Sequence, residues 1–206
     1  TWGLESSCKE TEVLSLIIYK IFILQILTLN MPKYSITFNF FILKEIVDIV
    51  KKIKIPERHI YDWRKEGFFH CTVKALELRD TLLYEQEIKS IIDKTSELIV
   101  NQRKFDVVIN GVDKFPDVFY AKVDSPDLVK LHKKLCKIGL PSINQKFENE
   151  NYIPHASLVS LTKPSNKEIN IERIFGKFKV KEIQLVAWDI SDGQHNPKVI
   201  HRFNLH

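Results

Sequence analysis

Residues 69–74 read Phe-His-Cys-Thr-Val-Lys, an apolar-flanked run in which a histidine and a hydroxyl residue stand two positions apart. The run predicts a β-strand, because alternate residues of a strand point to the same face. We therefore expect His70, Thr72 and Lys74 on one face and the intervening cysteine and valine on the other. The first face would carry reactive groups, and the second would face the core.

The same pattern recurs at residues 152–159, which read Tyr-Ile-Pro-His-Ala-Ser-Leu-Val. His155 and Ser157 again share a predicted face, so the chain contains histidine-x-hydroxyl-apolar twice. Two such matches, each followed by an apolar residue in a strand-like setting, are expected in roughly two random chains in a hundred. The repetition favours a functional role for His70 and His155. We expect the remaining histidines to be packing or surface residues: His59, His132, His195, His201 and His206.

The composition indicates one folded domain, or two small lobes with a shared core, since 44% of the 206 residues are hydrophobic and 28% are charged. A net charge of +5 permits an anionic partner such as RNA, a nucleotide or a phosphate ester. The chain has three cysteines, an odd number, and they are widely spaced. This argues against a disulfide framework or a zinc ribbon and favours a reducing, cytoplasmic location. His132 and Cys136 are four residues apart, so on a helix they could supply two ligands of a metal site. The sequence shows no second pair of ligands, and we therefore expect a surface histidine beside a buried thiol.

Residues 1–30 differ from the rest of the chain. Residues 13–29 are mostly apolar, but they are short for a membrane span and carry Lys20. The acidic start and the lack of a small-residue cleavage site are untypical of a signal peptide. We predict that translation starts at Met31, so that residues 1–30 are a non-native leader and 31–206 are the domain. A membrane-associating helix is the competing interpretation.

Beyond Met31 the hydrophobic periodicity predicts alternating strands and helices. Strands are predicted at 34–40, 68–76, 104–109, 118–123, 153–161, 178–189 and 199–205. Helices are predicted at 43–54, 83–100, 126–138 and 167–175, and a loop at 57–67. Ser125 and Pro126 are typical of a helix start, and Gly139 of its end. Each half contains a strand, a helix and a motif strand, so an internal duplication would bring both motifs into one cleft.

Two imidazoles and two hydroxyls that meet at one point suit a phosphate group. A neutral and a protonated histidine can act as general base and general acid on opposite sides of a displacement at phosphorus, without a metal. Lys74 could add positive charge. Phe119 and Tyr120 point to opposite faces of their predicted strand, so at most one of them can stack on a base, and we favour Tyr120.

The chain resembles the 2H phosphoesterase superfamily, which includes 2′-5′ RNA ligase-like and cyclic phosphodiesterase enzymes. The resemblance spans Met31 to Leu205 and rests on His70-Cys71-Thr72-Val73, His155-Ala156-Ser157-Leu158, Pro154, the Phe119-Tyr120 strand and Val186-Ala187-Trp188-Asp189. It implies an α+β fold of two lobes that are related by a pseudo-two-fold axis. Antiparallel sheets would line a central cleft between the lobes, and helices would lie on the outside. We further expect a monomer that uses neither a metal nor a cofactor and does not associate with membranes.

The resemblance implies hydrolysis of 2′,3′-cyclic phosphates or 2′-5′ linkages on RNA ends or nucleotides. His70 and His155 would be the acid-base pair, and Thr72 and Ser157 would hold the phosphate. Many ligase-like members carry an arginine shortly after the second motif, where this chain has Val-Ser-Leu at 159–161, and that departure counts against ligation. Reversible ligation, a non-catalytic nucleotide- or RNA-binding module and a partner-binding protein with accidental motifs remain the alternatives. The sequence leaves open which histidine is the base.

Overall fold

The computed structural model describes residues 33–53, 60–63, 69–143, 145–161, 171–191 and 196–206. The strands are β1 (Tyr34–Phe41), β2 (Ile60–Trp63), β3 (His70–Arg79), β4 (Phe105–Lys114), β5 (Val118–Asp124), β6 (His155–Leu161), β7 (Ile171–Val180), β8 (Glu182–Asp189) and β9 (Asn196–Asn204). The helices are α1 (Lys44–Val50), α2 (Glu85–Ile99) and α3 (Pro126–Lys137), with 3₁₀ turns at Gln145–Phe147 and Asn149–Asn151. The predicted leader lies outside the described residues.

The described strands form one antiparallel sheet in the order β7-β4-β5-β6-β3-β1-β8-β9, with β2 paired to β6 beside that path. The halves of this sheet meet where β3 and β6 pair, at Cys71 and Ala156. On one side β1 pairs with β3, and on the other β5 pairs with β6, so the two predicted strand-helix-strand units are related by a pseudo-two-fold. The predicted α+β bilobal fold is confirmed.

Two of the helices, α1 and α3, contact the other half of the sheet. Helix α1 follows β1 but packs against β7, and α3 follows β5 but packs against β3 and β4. A Cβ on Gly176 of β7 would lie 2.6 Å from Cγ1 of Ile46 in α1, so the absence of a side chain permits this close packing. The core lies between the helices and the sheet and binds the two halves together.

Helix α3 matches its prediction because its signals are local. The Ser125 side chain accepts a hydrogen bond from the backbone N–H of Leu128, and Pro126 occupies the first helical position. Leu131 and Leu135 are fully buried one and two turns further on. Gly139 follows the helix with a φ of +66°, a conformation that favours glycine.

Three segments differ from the sequence-based expectation. The single strand predicted at 178–189 is wrong, because β7 ends at Val180 and β8 begins at Glu182, and the two pair with different strands. The helix predicted at 167–175 is wrong over its described part, since strand β7 begins at Ile171 and pairs with β4 from Phe105↔Val180 to Val112↔Ile171. Part of the loop predicted at 57–67 is strand β2, which pairs with β6. Both strands form through partners distant in the sequence, and a local periodicity contains no information about such partners.

No helix in the part of the chain that the structure describes is both long and apolar enough to cross a membrane. The apolar residues 13–29 lie outside that part. The cytoplasmic location and the monomeric state stay predictions.

Candidate active site

The first motif strand contains a β-bulge at the apolar fourth residue of the motif. Asn39 of β1 is opposite Thr72, whereas Phe38 is opposite Lys74, so Val73 is the extra residue. A bulge resets the alternation of side chains beyond it. His70 and Thr72 are therefore half-buried on one face, while Val73 and Lys74 are both buried.

The second motif strand contains the equivalent bulge. Tyr120 of β5 is opposite Ser157, whereas Phe119 is opposite Val159, so Leu158 is the extra residue. From the motif histidine onward, the burial of the first seven residues is identical in the two strands: half-buried, buried, half-buried, buried, buried, half-buried, buried. The duplication predicted from the sequence therefore extends to a shared backbone irregularity.

The predicted shared face of Lys74 with His70 and Thr72 is wrong, and the bulge is the reason. The Lys74 side chain is 1% exposed and forms an ion pair with Glu148. Its Nζ also lies 3.9 Å from Sγ of Cys136, on the α3 side of the sheet. Lys74 occupies the position that Val159 holds in the other half.

The two motifs lie side by side on one face. Because β3 and β6 are antiparallel and Cys71 is paired with Ala156, the register puts His70 across from Ser157 and Thr72 across from His155. These positions flank Cys71 and Ala156, so their side chains are neighbours across the two strands. The structure thus brings together both imidazoles and both hydroxyls that the sequence singles out.

Aromatic and amide side chains from β1 and β8 support His70 and Thr72. The imidazole of His70 stacks on Trp188, with ring centroids 4.3 Å apart and an angle of 29° between the planes. The indole N–H donates to Oγ1 of Thr37 at 2.8 Å. The fully buried Asn39 has its carboxamide 3.1 Å from the Thr72 hydroxyl.

Sequence reasoning did not assign Asn39 and Trp188 to the site. Asn39 is a polar residue in the alternation of β1, and Trp188 lies in the closing strand. The sequence did contain a signal for each, because Asn39 is a polar residue and Trp188 an aromatic residue within a predicted strand. Their place in the site follows from the pairing of β1 with both β3 and β8.

The environment of His155 fixes one ring nitrogen. Its Nδ1 donates to the carbonyl of Ile153 at 2.8 Å, so Nε2 remains to act as an acceptor. Phe115 contacts the ring at 5.0 Å and Tyr120 at 5.3 Å between centroids. Burial lowers the pKa of His155 below its ordinary value, against the raising effect of the bond to Ile153, so the neutral form predominates at pH 7.

Tyr120 and Phe119 point to opposite sides of the sheet. Phe119 is 0% exposed and belongs to the hydrophobic core, so it faces away from the motif histidines. Tyr120 is next to Ser157 across the strands, and its ring stacks on Phe115 with centroids 4.3 Å apart. Burial raises the pKa of the Tyr120 hydroxyl. Of the two predicted binding residues, Tyr120 alone lies on the motif face.

A second layer of side chains holds the bulge of β3 from behind. Nδ1 of His132 lies 2.7 Å from the Val73 carbonyl, and Nε2 accepts from the backbone N–H of Asn149 at 3.0 Å, so Nδ1 is the donor. The Tyr152 hydroxyl donates to the Thr72 carbonyl at 2.8 Å. The two carbonyls at the bulge thus each have a side-chain donor.

The expectation that His132 is a surface residue is wrong. It is 2% exposed, and its ring stacks on Tyr152 at 3.9 Å and 7°. Burial lowers the pKa of His132, so the ring is neutral at pH 7, as its two hydrogen bonds require. Its Nε2 lies 3.4 Å from Sγ of Cys136. Among the described residues, no three His, Cys, Asp or Glu side chains are grouped so as to hold a metal ion.

A family model described as the 2′-5′ RNA ligase superfamily matches residues 45–192, which include both motifs. The chain belongs to the 2′-5′ RNA ligase superfamily. The membership of the 2H phosphoesterase superfamily predicted from the motifs is thereby confirmed, and it places the chain in a superfamily of phosphoesterases and ligases. No curated protein matches the sequence.

Solved structures of other proteins share the fold of this superfamily member. TT0787 of Thermus thermophilus matches with a TM-score of 0.67 and 17% identity, over 83% of this chain and 97% of that one. E. coli LigT complexed with NADP+ matches with a TM-score of 0.64 and 15% identity, over 84% of this chain and 98% of LigT. LigT complexed with 3′-AMP matches with a TM-score of 0.64 and 17% identity, over the same shares.

Proposed function

We propose that this protein is a metal-independent phosphoesterase that hydrolyses 2′,3′-cyclic phosphates or 2′-5′ phosphodiester bonds on RNA ends or nucleotides. The observation that carries the proposal is the register at Cys71 and Ala156, which puts two imidazoles and two hydroxyls on one face of adjacent strands. The LigT structures with NADP+ and 3′-AMP support a nucleotide ligand. One chain supplies both motifs, which is consistent with a monomer.

In the proposed hydrolysis the phosphate lies between Thr72 and Ser157, whose hydroxyls donate to its non-bridging oxygens. Neutral His155 accepts a proton through Nε2 from a water molecule as the water oxygen bonds to phosphorus. Protonated His70 gives a proton to the ribose oxygen as its bond to phosphorus breaks. The face of the Trp188 indole, stacked on His70, is suited to stabilise the imidazolium charge.

Both proton transfers are assigned to side chains, so the mechanism requires no metal. Ligation replaces the attacking water with the 5′-hydroxyl of a second RNA end, which gives its proton to one histidine and bonds to phosphorus as the cyclic P–O bond breaks and takes a proton from the other. The family name favours it as a second candidate, but the positions after the second motif lack an arginine. Val159 is instead fully buried opposite Phe119. Hydrolysis is therefore the proposed direction.

The test is turnover of a nucleoside 2′,3′-cyclic phosphate and a 2′-5′ dinucleotide in the presence of EDTA. We expect turnover by the natural protein, and a loss of about 10²–10⁴-fold in kcat for His70→Ala and for His155→Ala, with the melting temperature retained. His201→Ala is the matched control, because His201 lies on β9 against Phe203. Binding without turnover across both substrates would instead support a non-catalytic binding module.

A further inference from the structure

Asn39 of β1 lies in a buried chain of hydrogen bonds that ends at the Thr72 hydroxyl. Its side chain is fully buried, and Thr37 and Trp188 beside it are buried as well. Its Nδ2 lies 3.1 Å from Oγ1 of Thr72 and 3.1 Å from the carbonyl oxygen of Phe38. Its Oδ1 lies 3.1 Å from Nε1 of Trp188 and 2.6 Å from Oγ1 of Thr37. Each polar atom of the amide therefore has two partners at hydrogen-bond distance.

Two of these partners fix the orientation of the amide, because each has a single hydrogen-bonding role. The Phe38 carbonyl can only accept, and the Trp188 indole N–H can only donate. The opposite orientation of the amide would place acceptor against acceptor at Phe38 and donor against donor at Trp188. Asn39 therefore donates to Thr72 through Nδ2. Its Oδ1 accepts from Thr37, whose hydroxyl oxygen accepts in turn from Trp188 at 2.8 Å.

We propose that Asn39 is a positioning residue that fixes the direction of the Thr72 hydroxyl in the reaction. This role rests on the proposed function, in which that hydroxyl donates to a non-bridging oxygen of the phosphate. A hydroxyl has one proton, so it can donate to only one partner at a time. Asn39 presents an N–H and no acceptor to Thr72, so the Thr72 proton stays available for the ligand. The hydroxyl is thus a donor before the phosphate arrives, and it needs no reorientation as charge develops.

The equivalent position beside the second motif has a residue of different chemistry. Asn39 is opposite Thr72 across β1 and β3, and Tyr120 is opposite Ser157 across β5 and β6. The Tyr120 ring stacks on Phe115, and a tyrosine hydroxyl can both donate and accept. Tyr120 therefore supplies no fixed donor to Ser157. The difference between the two motifs provides an internal comparison for an experiment.

The test is a double-mutant cycle that measures kcat/KM for a nucleoside 2′,3′-cyclic phosphate. We expect Asn39→Ala to lower kcat/KM by about fivefold to tenfold, the value of one hydrogen bond. In a Thr72→Val background, which lacks the hydroxyl, Asn39→Ala should change kcat/KM by less than about twofold. In Thr72→Ser and Ser157→Ala backgrounds it should again cost about fivefold to tenfold, because the first keeps the hydroxyl and the second removes the one opposite Tyr120.

A purely structural role for Asn39 predicts a different pattern, in which Asn39→Ala lowers kcat/KM by the same factor with and without the Thr72 hydroxyl. Ser125→Ala is the matched control, because it also removes a buried polar side chain that accepts a hydrogen bond, at the start of α3. It should lower the melting temperature and leave kcat/KM unchanged. Asn39→Leu keeps the shape of the amide without its hydrogen bonds, and it replaces Asn39→Ala in the cycle if the smaller side chain prevents folding.

The outcomes separate the positioning role from the proposed function. Turnover by the natural protein with equal losses in all backgrounds, or with no loss in Asn39→Ala, overturns the positioning role alone. If the natural protein turns over neither a cyclic phosphate nor a 2′-5′ dinucleotide, the proposed function is overturned. The same cycle is then measured as the affinity for adenosine 2′-monophosphate by calorimetry. A loss of affinity that requires the Thr72 hydroxyl supports the fixed donor, and equal losses, no loss or no binding by the natural protein overturn it.

Discussion

Replacing Lys74 by methionine separates a structural role from a substrate-binding role at the first motif. The substitution keeps the length of the side chain and removes its charge, which leaves Glu148 without its ion-pair partner. Removing one partner of a fully buried pair costs about 3–5 kcal/mol. Glu148 keeps 12% of its side chain exposed and a hydrogen bond from Ser142. We therefore expect a cost below that range, about 2–3 kcal/mol in the free energy of unfolding.

Urea denaturation measures this cost, and thermal unfolding should show a decrease of roughly 4–12 °C in melting temperature. The double variant Lys74→Met/Glu148→Gln should recover about 1–2 kcal/mol, because no unpaired charge remains. Lys89→Met is the matched control. Lys89 pairs with Asp93 on the exposed face of α2, with 75% and 56% of the side chains exposed, so its loss should cost at most about 0.5 kcal/mol.

The cost should also depend on pH. Burial opposes ionisation of Glu148, but hydrogen bonds from Lys74 and Ser142 outweigh it and lower the pKa below the ordinary 4.5. The stability that this pair contributes is therefore present above about pH 4.5 and is lost as the pH falls through the lowered pKa. The natural protein and Lys74→Met should become similar in stability at low pH.

The kinetic result decides between the two roles. If Lys74 is structural, the folded variant keeps kcat/KM for the cyclic phosphate within about threefold. A loss of a hundredfold or more with unchanged stability would refute the reasoning from the bulge and return Lys74 to the substrate.

Three further predictions concern neighbouring groups. Since burial lowers the pKa of His155, the acid limb of kcat/KM against pH should lie below pH 6.5; a limb at or above that value contradicts its assignment as the neutral base. Tyr152→Phe should cost about 1–3 kcal/mol in urea denaturation, because the buried Thr72 carbonyl loses its side-chain donor. It should also lower kcat more than it raises KM, and unchanged values of both would show that the bond does not position Thr72. Cys71 is 0% exposed, and burial raises its pKa to about 12, so a thiol reagent followed by peptide mapping should label it only in denaturant. Labelling of Cys71 in the native protein would disprove its burial beneath the motif.

Local signals in the sequence were sufficient for several elements. The Ser125 cap and Pro126 predicted α3 because capping depends on residues within one helical turn. The motif strands and the duplication were also predictable, because the histidine-x-hydroxyl-apolar pattern occurs in both halves. Strand β7 was not predictable in this way. It pairs with β4 across more than fifty residues of sequence, and its Gly176 accommodates a helix from the other half.

The sequence by itself determined the α+β class, the repeated motif and the four side chains proposed for catalysis. The tertiary structure alone decided which neighbours those side chains have. The bulge that moves Lys74 into the core, the burial of His132 behind it and the stacking of Trp188 on His70 all depend on cross-strand register. The strands concerned, in the order β6-β3-β1-β8, are not consecutive in the chain, so no hairpin turn fixes their register and it is set by how distant segments pack together.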